Sequence, residues 1–234
     1  MTVAPALARP RLHWSGDSLV LVEFEARIDA AINRRVVALA EALRTARVAG
    51  VRDVVPAYAS VGVHVDPLRF DAAAFDAVLS REWDRATSAE SAPPAEIEIP
   101  VCYGGPFGPD LDEVADFAGC GADEVVARHA AGRYRVYMLG FLPGFAYLGG
   151  VDPAIAMPRR PSPRSAVPAG SVGIAGVQTG VYPIESPGGW RLIGRTPVRM
   201  FDPARARPAL LRPGDVVRFV PVAHAQWPAV DGPP

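Results

Sequence analysis

Three arginines lie close together in a proline-rich stretch and are the first candidates for binding an anion. Arg159, Arg160 and Arg164 fall within six residues that also contain two prolines. A guanidinium group can pair with a carboxylate or a phosphate through two parallel hydrogen bonds, and rigid loops often carry binding sites. The alternative is that one or more of these arginines pair with acidic side chains elsewhere. Arg195, at a predicted strand end, is a further candidate, or else a brace for that strand.

A second group of polar side chains surrounds a glycine-flanked turn. Gln178, Thr179 and Tyr182 bring an amide, a hydroxyl and a phenol to this turn. Such groups can hydrogen-bond an amide substrate or the oxygen anion of an intermediate. The alternative is a side-chain network that only stabilises the turn. We place Gln178 and Tyr182 among the candidate catalytic residues and Thr179 among the binding residues.

A histidine and a tryptophan complete the candidate site. His129 lies in a predicted helix and could act as a general base, since a free histidine has a pKa near 6.5; alternatively it is a packing or capping residue. Trp190 ends a glycine-rich turn and is a candidate binding residue. Phe141, Phe145 and Tyr147 are predicted to join it in an aromatic wall, unless the phenylalanines only fill the core.

Composition limits the classes of function. The chain has 234 residues, half of them hydrophobic, a net charge of -1 and no lysine. The missing lysine excludes a P-loop lysine and a Schiff base on this chain. Intermixed charges argue against nucleic-acid or membrane partners. Four scattered histidines and two unpaired cysteines predict no metal site and fit a reduced, cytoplasmic protein.

The first part of the chain has an α+β pattern. Residues 19–24, 51–58 and 61–65 are predicted strands, and apolar residues at helical spacing predict helices over 28–43 and from about 71. Residues 1–11 are predicted to be a disordered lead-in. The order of strand, helix, strand, strand and helix resembles half of a ferredoxin-like fold. We assign residues 1–90 to this N-terminal α+β domain.

The second part contains two helices followed by many short strands. Residues 87–95 are rich in serine, alanine and proline and are predicted to connect the domains. Asp110 is predicted to cap the first helix with Glu113 as its capping-box partner, and the second helix is predicted over 122–131. A strand is predicted over 96–101, and glycine- and proline-rich segments after residue 133 predict a barrel or sandwich. We assign residues 96–234 to this second domain.

Several short segments carry a resemblance to a known family. Residues 140–148 read GFLPGFAYL, and 176–182 and 186–190 read GVQTGVY and SPGGW. Further segments in the same order are PRR at 158–160, PR at 163–164, VPAGSV at 167–172 and IGRTP at 193–197; the N-terminal part contributes GD at 16–17 and VPAY at 55–58. Together they resemble the KipI-like family, which includes the B subunits of 5-oxoprolinase (PxpB) and allophanate hydrolase subunit 1.

The resemblance implies an architecture and a function. It implies an N-terminal α/β domain and a C-terminal cyclophilin-like β-barrel. It further implies a subunit that opens 5-oxo-L-proline to L-glutamate with ATP and Mg²⁺, in a complex with 5-oxoprolinase subunits A and C (PxpA-like and PxpC- or KipA-like), and that is inactive alone. The ATP site would be shared with, or located on, those partners. Two alternatives stay open: an inhibitor of a sensor histidine kinase, and a subunit related to allophanate hydrolase or urea amidolyase.

Overall fold

The protein divides into two compact units, each with its own core. A computed structural model describes residues 10–86 and 94–226. Unit 1 is Met1–Pro93 and unit 2 is Pro94–Pro234. Most of the predicted connection, residues 87–93, and most of the predicted lead-in, residues 1–9, lie outside the described residues.

Unit 1 is a four-stranded antiparallel sheet with two helices. The sheet order is β1-β2-β4-β3. The strands are β1 Arg11–Trp14, β2 Leu19–Glu23, β3 Val51–Pro56 and β4 Ser60–Val65; the helices are α1 Ala30–Ala46 and α2 Ala72–Ala86. The predicted order of strand, helix, strand, strand and helix is confirmed for β2 through α2. Strand β1 was not predicted, because its four side chains are all exposed and show no alternation of buried and exposed positions.

Helix α1 shows how the sequence fixes an element boundary. Asp29 caps its start, since its carboxylate accepts from the backbone N–H groups of Ala31 and Ile32 at 2.8 and 3.0 Å. The predicted start at Ile28 is therefore wrong by two residues; the Ile28 side chain is exposed. Apolar side chains on one face of α1 are buried. The helix ends at Ala46, and the next residue, Arg47, caps it in a left-handed conformation.

Unit 2 is built on a closed barrel of seven strands. Its order is β10-β7-β6-β13-β5-β12-β9, with β9 pairing back to β10. The barrel strands are β5 Glu96–Tyr103, β6 Tyr134–Leu139, β7 Ala146–Gly149, β9 Ser171–Ala175, β10 Gln178–Val181, β12 Arg191–Arg195 and β13 Val216–Pro221. Strands β8 Arg164–Val167 and β11 Ser186–Gly188 form a separate two-stranded sheet. Between the two forms left open by the sequence, the structure shows the barrel.

Two helices precede most of the barrel strands. They are α3 Leu111–Ala118 and α4 Ala122–Ala131. The predicted bounds of α4 are confirmed. The predicted capping box of α3 is wrong: Asp110 occupies the N-cap position but its side chain makes no cap hydrogen bond, and it turns instead toward two arginines. Within residues 10–86 and 94–226, no helix is long and apolar enough to cross a membrane.

Candidate functional site

A cavity of about 510 Å³ opens in unit 2, where three segments meet. The first segment, residues 140–145, joins β6 to β7. The second, residues 158–164, ends at the first residue of β8 and is here called the arginine loop. The third, residues 186–190, consists of β11 and the two residues that follow it and is here called the glycine turn. The lining residues are aromatic, cationic, proline or glycine: Phe141, Phe145, Tyr147, Arg159, Arg160, Pro161, Pro163, Tyr182, Pro187, Gly188, Gly189 and Trp190.

Aromatic rings form one wall of the cavity, with Phe145 at their centre. The Phe145 ring is buried, and its centroid lies 5.0 Å from that of Tyr147 and 5.4 Å from those of Tyr182 and Trp190. These contacts are edge-to-face, the arrangement that aromatic quadrupoles favour. Phe141 contributes an exposed ring from a left-handed backbone with φ of 69°. The structure therefore brings together the four aromatic residues that the sequence placed in one wall.

The three arginines of the arginine loop have different surroundings. Arg159 is exposed, and the described residues provide no ion-pair or hydrogen-bond partner for its guanidinium group. Arg160 is half-buried and makes one long bond, 3.4 Å, from Nη1 to the carboxylate of Asp110. Arg164 donates two hydrogen bonds, of 2.6 and 2.9 Å, to the same carboxylate. Arg159 and Arg160 line the cavity, whereas Arg164 is paired with Asp110 and is not among the lining residues.

Arg164 matches the alternative that the sequence left open, in which an arginine of this loop pairs with an acidic side chain. Its guanidinium makes a bidentate pair with the carboxylate of Asp110, which is only 4% exposed. Asp110 was predicted to be a helix-start residue. No local sequence pattern reveals that it pairs with Arg164, which lies 54 residues later in the chain. Its neighbour in the predicted capping box, Glu113, pairs with Arg191 at 2.5 Å.

Tyr182 lines the cavity as a neutral phenol. Burial raises its pKa, and the backbone N–H of Trp190, which hydrogen-bonds to it, lowers that pKa by a smaller amount. Burial also raises the pKa of Tyr147. A phenol that keeps its proton at neutral pH can donate a hydrogen bond but is a poor base. Within the cavity, the expected chemistry of Tyr182 is donation to an oxygen.

His129 and Thr179 lie in the barrel interior and do not line the cavity. The Thr179 hydroxyl donates to the carbonyl of Gly173 at 2.9 Å, so it accepts from Nε2–H of His129 at 2.9 Å. The other ring nitrogen, Nδ1, then accepts from the Tyr103 hydroxyl at 2.8 Å. The His129 ring stacks on Phe219 with centroids 4.7 Å apart. Burial lowers its pKa to about 3. These contacts match the packing role left open by the sequence, and they separate His129 from the cavity.

The remaining candidates also lie outside the cavity lining. Gln178 begins β10 and pairs in register with Gly149 and Ala175 of the neighbouring strands. Arg195, at the end of β12, donates from Nε to the carbonyl of Ala169 at 2.7 Å, which is the bracing role considered above. The structure thus brings Arg159, Arg160, Tyr182 and Trp190 together and leaves Gln178, Thr179, Arg195 and His129 elsewhere in unit 2.

The lining chemistry suits an anion. Two guanidinium groups and two phenols face the cavity, and the lining residues include no carboxylate. A phosphate or carboxylate fits these donors, whereas the carboxylate ligands through which proteins usually bind Mg²⁺ are not part of this lining. Among the described residues, no three histidine, cysteine or acidic side chains come together as a metal site.

Comparisons with known proteins identify the family. The model of the family described as "Carboxyltransferase domain, subdomain C and D" matches residues 10–211. The B subunit of 5-oxoprolinase from Bacillus subtilis (strain 168) is 43% identical over 94% of this chain and 96% of its own length. The chain belongs to the family of 5-oxoprolinase B subunits. A relative of the same name from Escherichia coli O157:H7 is 44% identical over 92% of this chain and 97% of its own.

Solved structures share the fold. TTHA0988 is 43% identical with a TM-score of 0.78, over 87% of this chain and 40% of that one. The uncharacterized protein PH0987 from Pyrococcus horikoshii is 47% identical with a TM-score of 0.55, over 92% of this chain and 99% of its own. Urea carboxylase from Kluyveromyces lactis is 21% identical with a TM-score of 0.73, over 96% of this chain and 23% of that one. At that identity the likeness shows the fold alone.

Proposed function

We propose that this chain is the B subunit of an ATP-dependent 5-oxoprolinase and that its cavity binds 5-oxo-L-proline. The carrying observation is the cavity of about 510 Å³ in which Arg159 and Arg160 face a wall of aromatic rings. Such a cavity complements a small flat ring that bears a carboxylate. The shared name of relatives at 43–44% identity supports the same function.

The cavity suggests how the substrate is held. The carboxylate of 5-oxoproline pairs with Arg159 and with the N–H groups on the terminal nitrogens of Arg160 that Asp110 does not engage, since Nε of Arg160 is buried. The ring packs against the apolar surface of the aromatic rings of Trp190 and Phe145. The Tyr182 hydroxyl donates to the lactam oxygen. This arrangement orients the amide while leaving the open side of the cavity for the groups that attack it.

Opening the lactam ring of 5-oxoproline requires ATP in addition to the residues of this cavity. Opening the lactam consumes ATP and two water molecules in all and yields L-glutamate, ADP and phosphate. ATP supplies the activation of the amide, because transfer of its terminal phosphoryl group to the lactam oxygen makes the ring carbon electrophilic. This chain has no lysine for a P-loop. We propose that ATP and Mg²⁺ are held at a site shared with, or located on, the partner subunits A and C, and that the complex works in the cytoplasm.

We also propose a fold class for each of the two units. In unit 1, β4 lies between β2 and β3, and the chain order β2-α1-β3-β4-α2 is that of a ferredoxin-like fold, with β1 in place of its last strand. We assign the barrel of unit 2 to the cyclophilin-like class. The kinase-inhibitor and urea amidolyase-related alternatives are not favoured: the curated relatives are named as oxoprolinase subunits, and the urea amidolyase of Kluyveromyces lactis is 22% identical, which shows the fold alone.

Glutamate formation by reconstituted subunits tests this proposal. This chain is mixed with subunits A and C from the same source, and glutamate is measured with 5-oxoproline, ATP and Mg²⁺ while each subunit is omitted in turn. Turnover is expected only in the full mixture. Turnover by this chain alone would overturn the shared site, and a full mixture without turnover would overturn the function.

An arginine substitution tests the cavity itself. Arg159→Ala removes an exposed cation with no protein partner among the described residues, so the fold should be unaffected. The KM for 5-oxoproline should rise by about ten- to a hundredfold, the effect of losing a charge-assisted hydrogen bond of about 1.5–3 kcal/mol. Arg218→Ala is the matched control, since Arg218 pairs with Glu98 on the barrel at 2.9 Å and does not line the cavity. An unchanged KM in Arg159→Ala would place the substrate elsewhere.

A further inference from the structure

Asp110 is a buried carboxylate fixed on several sides. Its side chain is only 4% exposed. Its oxygens accept two bonds from Arg164, one from Arg160 and one, at 2.7 Å, from the backbone N–H of Leu192. The backbone N–H of Asp110 returns a bond of 2.9 Å to the carbonyl of Leu192. The carboxylate is therefore held between the start of α3, strand β12 and the arginine loop.

The arginine loop has further anchors that make this position rigid. The backbone N–H of Arg160 donates to the carbonyl of Gly189 in the glycine turn at 2.6 Å. Arg191 donates from Nε to the carbonyl of Pro158 at 3.2 Å and is itself paired with Glu113 of α3. The backbone of the arginine loop is thus held at Pro158 and at Arg160, and Asp110 holds the side chains of Arg160 and Arg164.

Charge explains why two arginines share one carboxylate. An unpaired carboxylate beside the cavity would repel an anionic substrate and would be costly to bury. The bidentate bond from Arg164 neutralises Asp110, so the positive charges of Arg160 and Arg159 stay uncompensated on the cavity side. The weaker bond to Arg160 fixes the direction of that guanidinium and leaves the remaining N–H groups of its two terminal nitrogens for a ligand, since its Nε is buried.

We infer that Asp110 is a positioning residue for substrate binding, acting through Arg160, with Arg164 as the group that cancels its charge. This inference rests on the proposed function, because it assigns the role with respect to the carboxylate of 5-oxoproline. Asp110 itself does not line the cavity, and the sequence predicted only that it starts a helix.

Steady-state kinetics of the assembled enzyme provides the first test. Asp110→Asn keeps an oxygen for the N–H of Leu192 but removes the charge that draws both guanidinium groups. The KM for 5-oxoproline should rise about tenfold or more while kcat changes by about threefold or less, because the interaction affects binding rather than the chemical step. A loss of folded protein would lower the apparent kcat but not raise KM. Asp152→Asn, which weakens the Arg128–Asp152 ion pair of 3.1 Å outside the cavity lining, should keep the wild-type KM.

A second variant covers the case in which Asp110→Asn does not fold. Arg164→Gln leaves Asp110 charged beside the cavity and able to draw Arg160 away from the substrate. It should also raise KM by about tenfold. A wild-type KM in either folded variant overturns the inference.

Chemical modification of the isolated chain gives a readout that needs no turnover. Phenylglyoxal reacts with accessible guanidinium groups, and mass spectrometry reports the rate at each arginine. In Asp110→Asn, Arg160 and Arg164 should react several times faster than in the wild type, while Arg218 keeps its rate as an internal control. Unchanged rates at both loop arginines would overturn the positioning role. An inactive wild-type complex would count against the proposed function and this role together, whereas an active complex with wild-type KM in Asp110→Asn would overturn only this role.

Discussion

His129 is fully buried, and burial lowers its pKa to about 3. In the unfolded chain its pKa is about 6.5, so the unfolded state binds the proton first as the pH falls. The contribution of His129 to stability is therefore complete above about pH 6.5 and is lost progressively as the pH falls from about 6.5 toward 3. Below about pH 3 His129 carries the proton in both the folded and the unfolded state, so it no longer makes stability depend on pH.

This histidine should make unit 2 sensitive to mild acid. The free energy of unfolding should fall by about 1.4 kcal/mol per pH unit, or about 2 kcal/mol between pH 6.5 and 5, from His129 alone. His129→Gln should be less stable at pH 7, because it loses ring contacts, but should show a smaller decrease between pH 7 and 5. Urea unfolding at both pH values measures this, with the exposed His64→Gln as control. Equal pH dependence in His129→Gln and the wild type would contradict the burial of a neutral imidazole.

Single residues also show what the sequence could and could not predict about the site. The sequence placed Arg159 and Arg160 in a binding loop and Trp190 in an aromatic wall, because residue type and local spacing carry that information. It could not separate Arg164 from its neighbours, because the distinction depends on Asp110, which folding brings to the loop from another element. The barrel-interior position of His129 likewise depends on Tyr103 and Thr179, its partners on two strands far apart in the chain.

At the scale of elements, local signals predicted the helices better than the loops. Helix α4 begins and ends where its periodic pattern does, whereas α1 begins two residues later than its apolar pattern because Asp29 caps it. Strand β1 has no buried side chain and hence no pattern to detect. The segments around the cavity also lack a periodic pattern of apolar residues. Their shape comes from contacts between the arginine loop and the glycine turn.

Two adjacent glycines in the glycine turn provide a matched test of that shape. A Cβ on Gly188 would lie 2.7 Å from Cε1 of Tyr182 and would also overlap its hydroxyl, whereas a Cβ on Gly189 would meet its nearest atom, the carbonyl oxygen of Arg160, at 3.6 Å. Tyr182 is buried and cannot move aside freely. Gly188→Ala should therefore destabilise the protein by about 1–3 kcal/mol, the usual cost of overpacking. It should also raise the KM for 5-oxoproline, because Tyr182 is displaced in the cavity.

Gly189→Ala should stay within about 0.5 kcal/mol of the wild type, as expected for a change without a clash. Thermal unfolding and steady-state kinetics of both variants check the pair. Similar stability and KM in the two variants would show that the turn tolerates a side chain at Gly188 and that Tyr182 is not confined as described.

At the scale of the whole molecule, composition predicted a change of architecture along the chain, and the two units have separate cores. The change is visible in sequence because helical periodicity gives way to glycine- and proline-rich segments. The closure of the barrel was not derivable from the residues alone, since it depends on pairing between strands as distant as β5 and β13. Non-local pairing of this kind leaves no local pattern in either strand.

Limited proteolysis should separate the two units. Residues 87–95 carry serine, alanine and proline with few groups to bury. Elastase should therefore cut there before it cuts inside residues 28–43 or 172–181, which overlap helix α1 and the barrel strands β9 and β10. Every residue that lines the cavity, together with Asp110, belongs to unit 2. The purified C-terminal fragment should therefore bind 5-oxoproline with the affinity of the uncut chain, measured by calorimetry on both. First cleavage within α1 or the barrel would contradict the division into domains. A C-terminal fragment that stays folded but binds several times more weakly than the uncut chain would show that unit 1 contributes to the site.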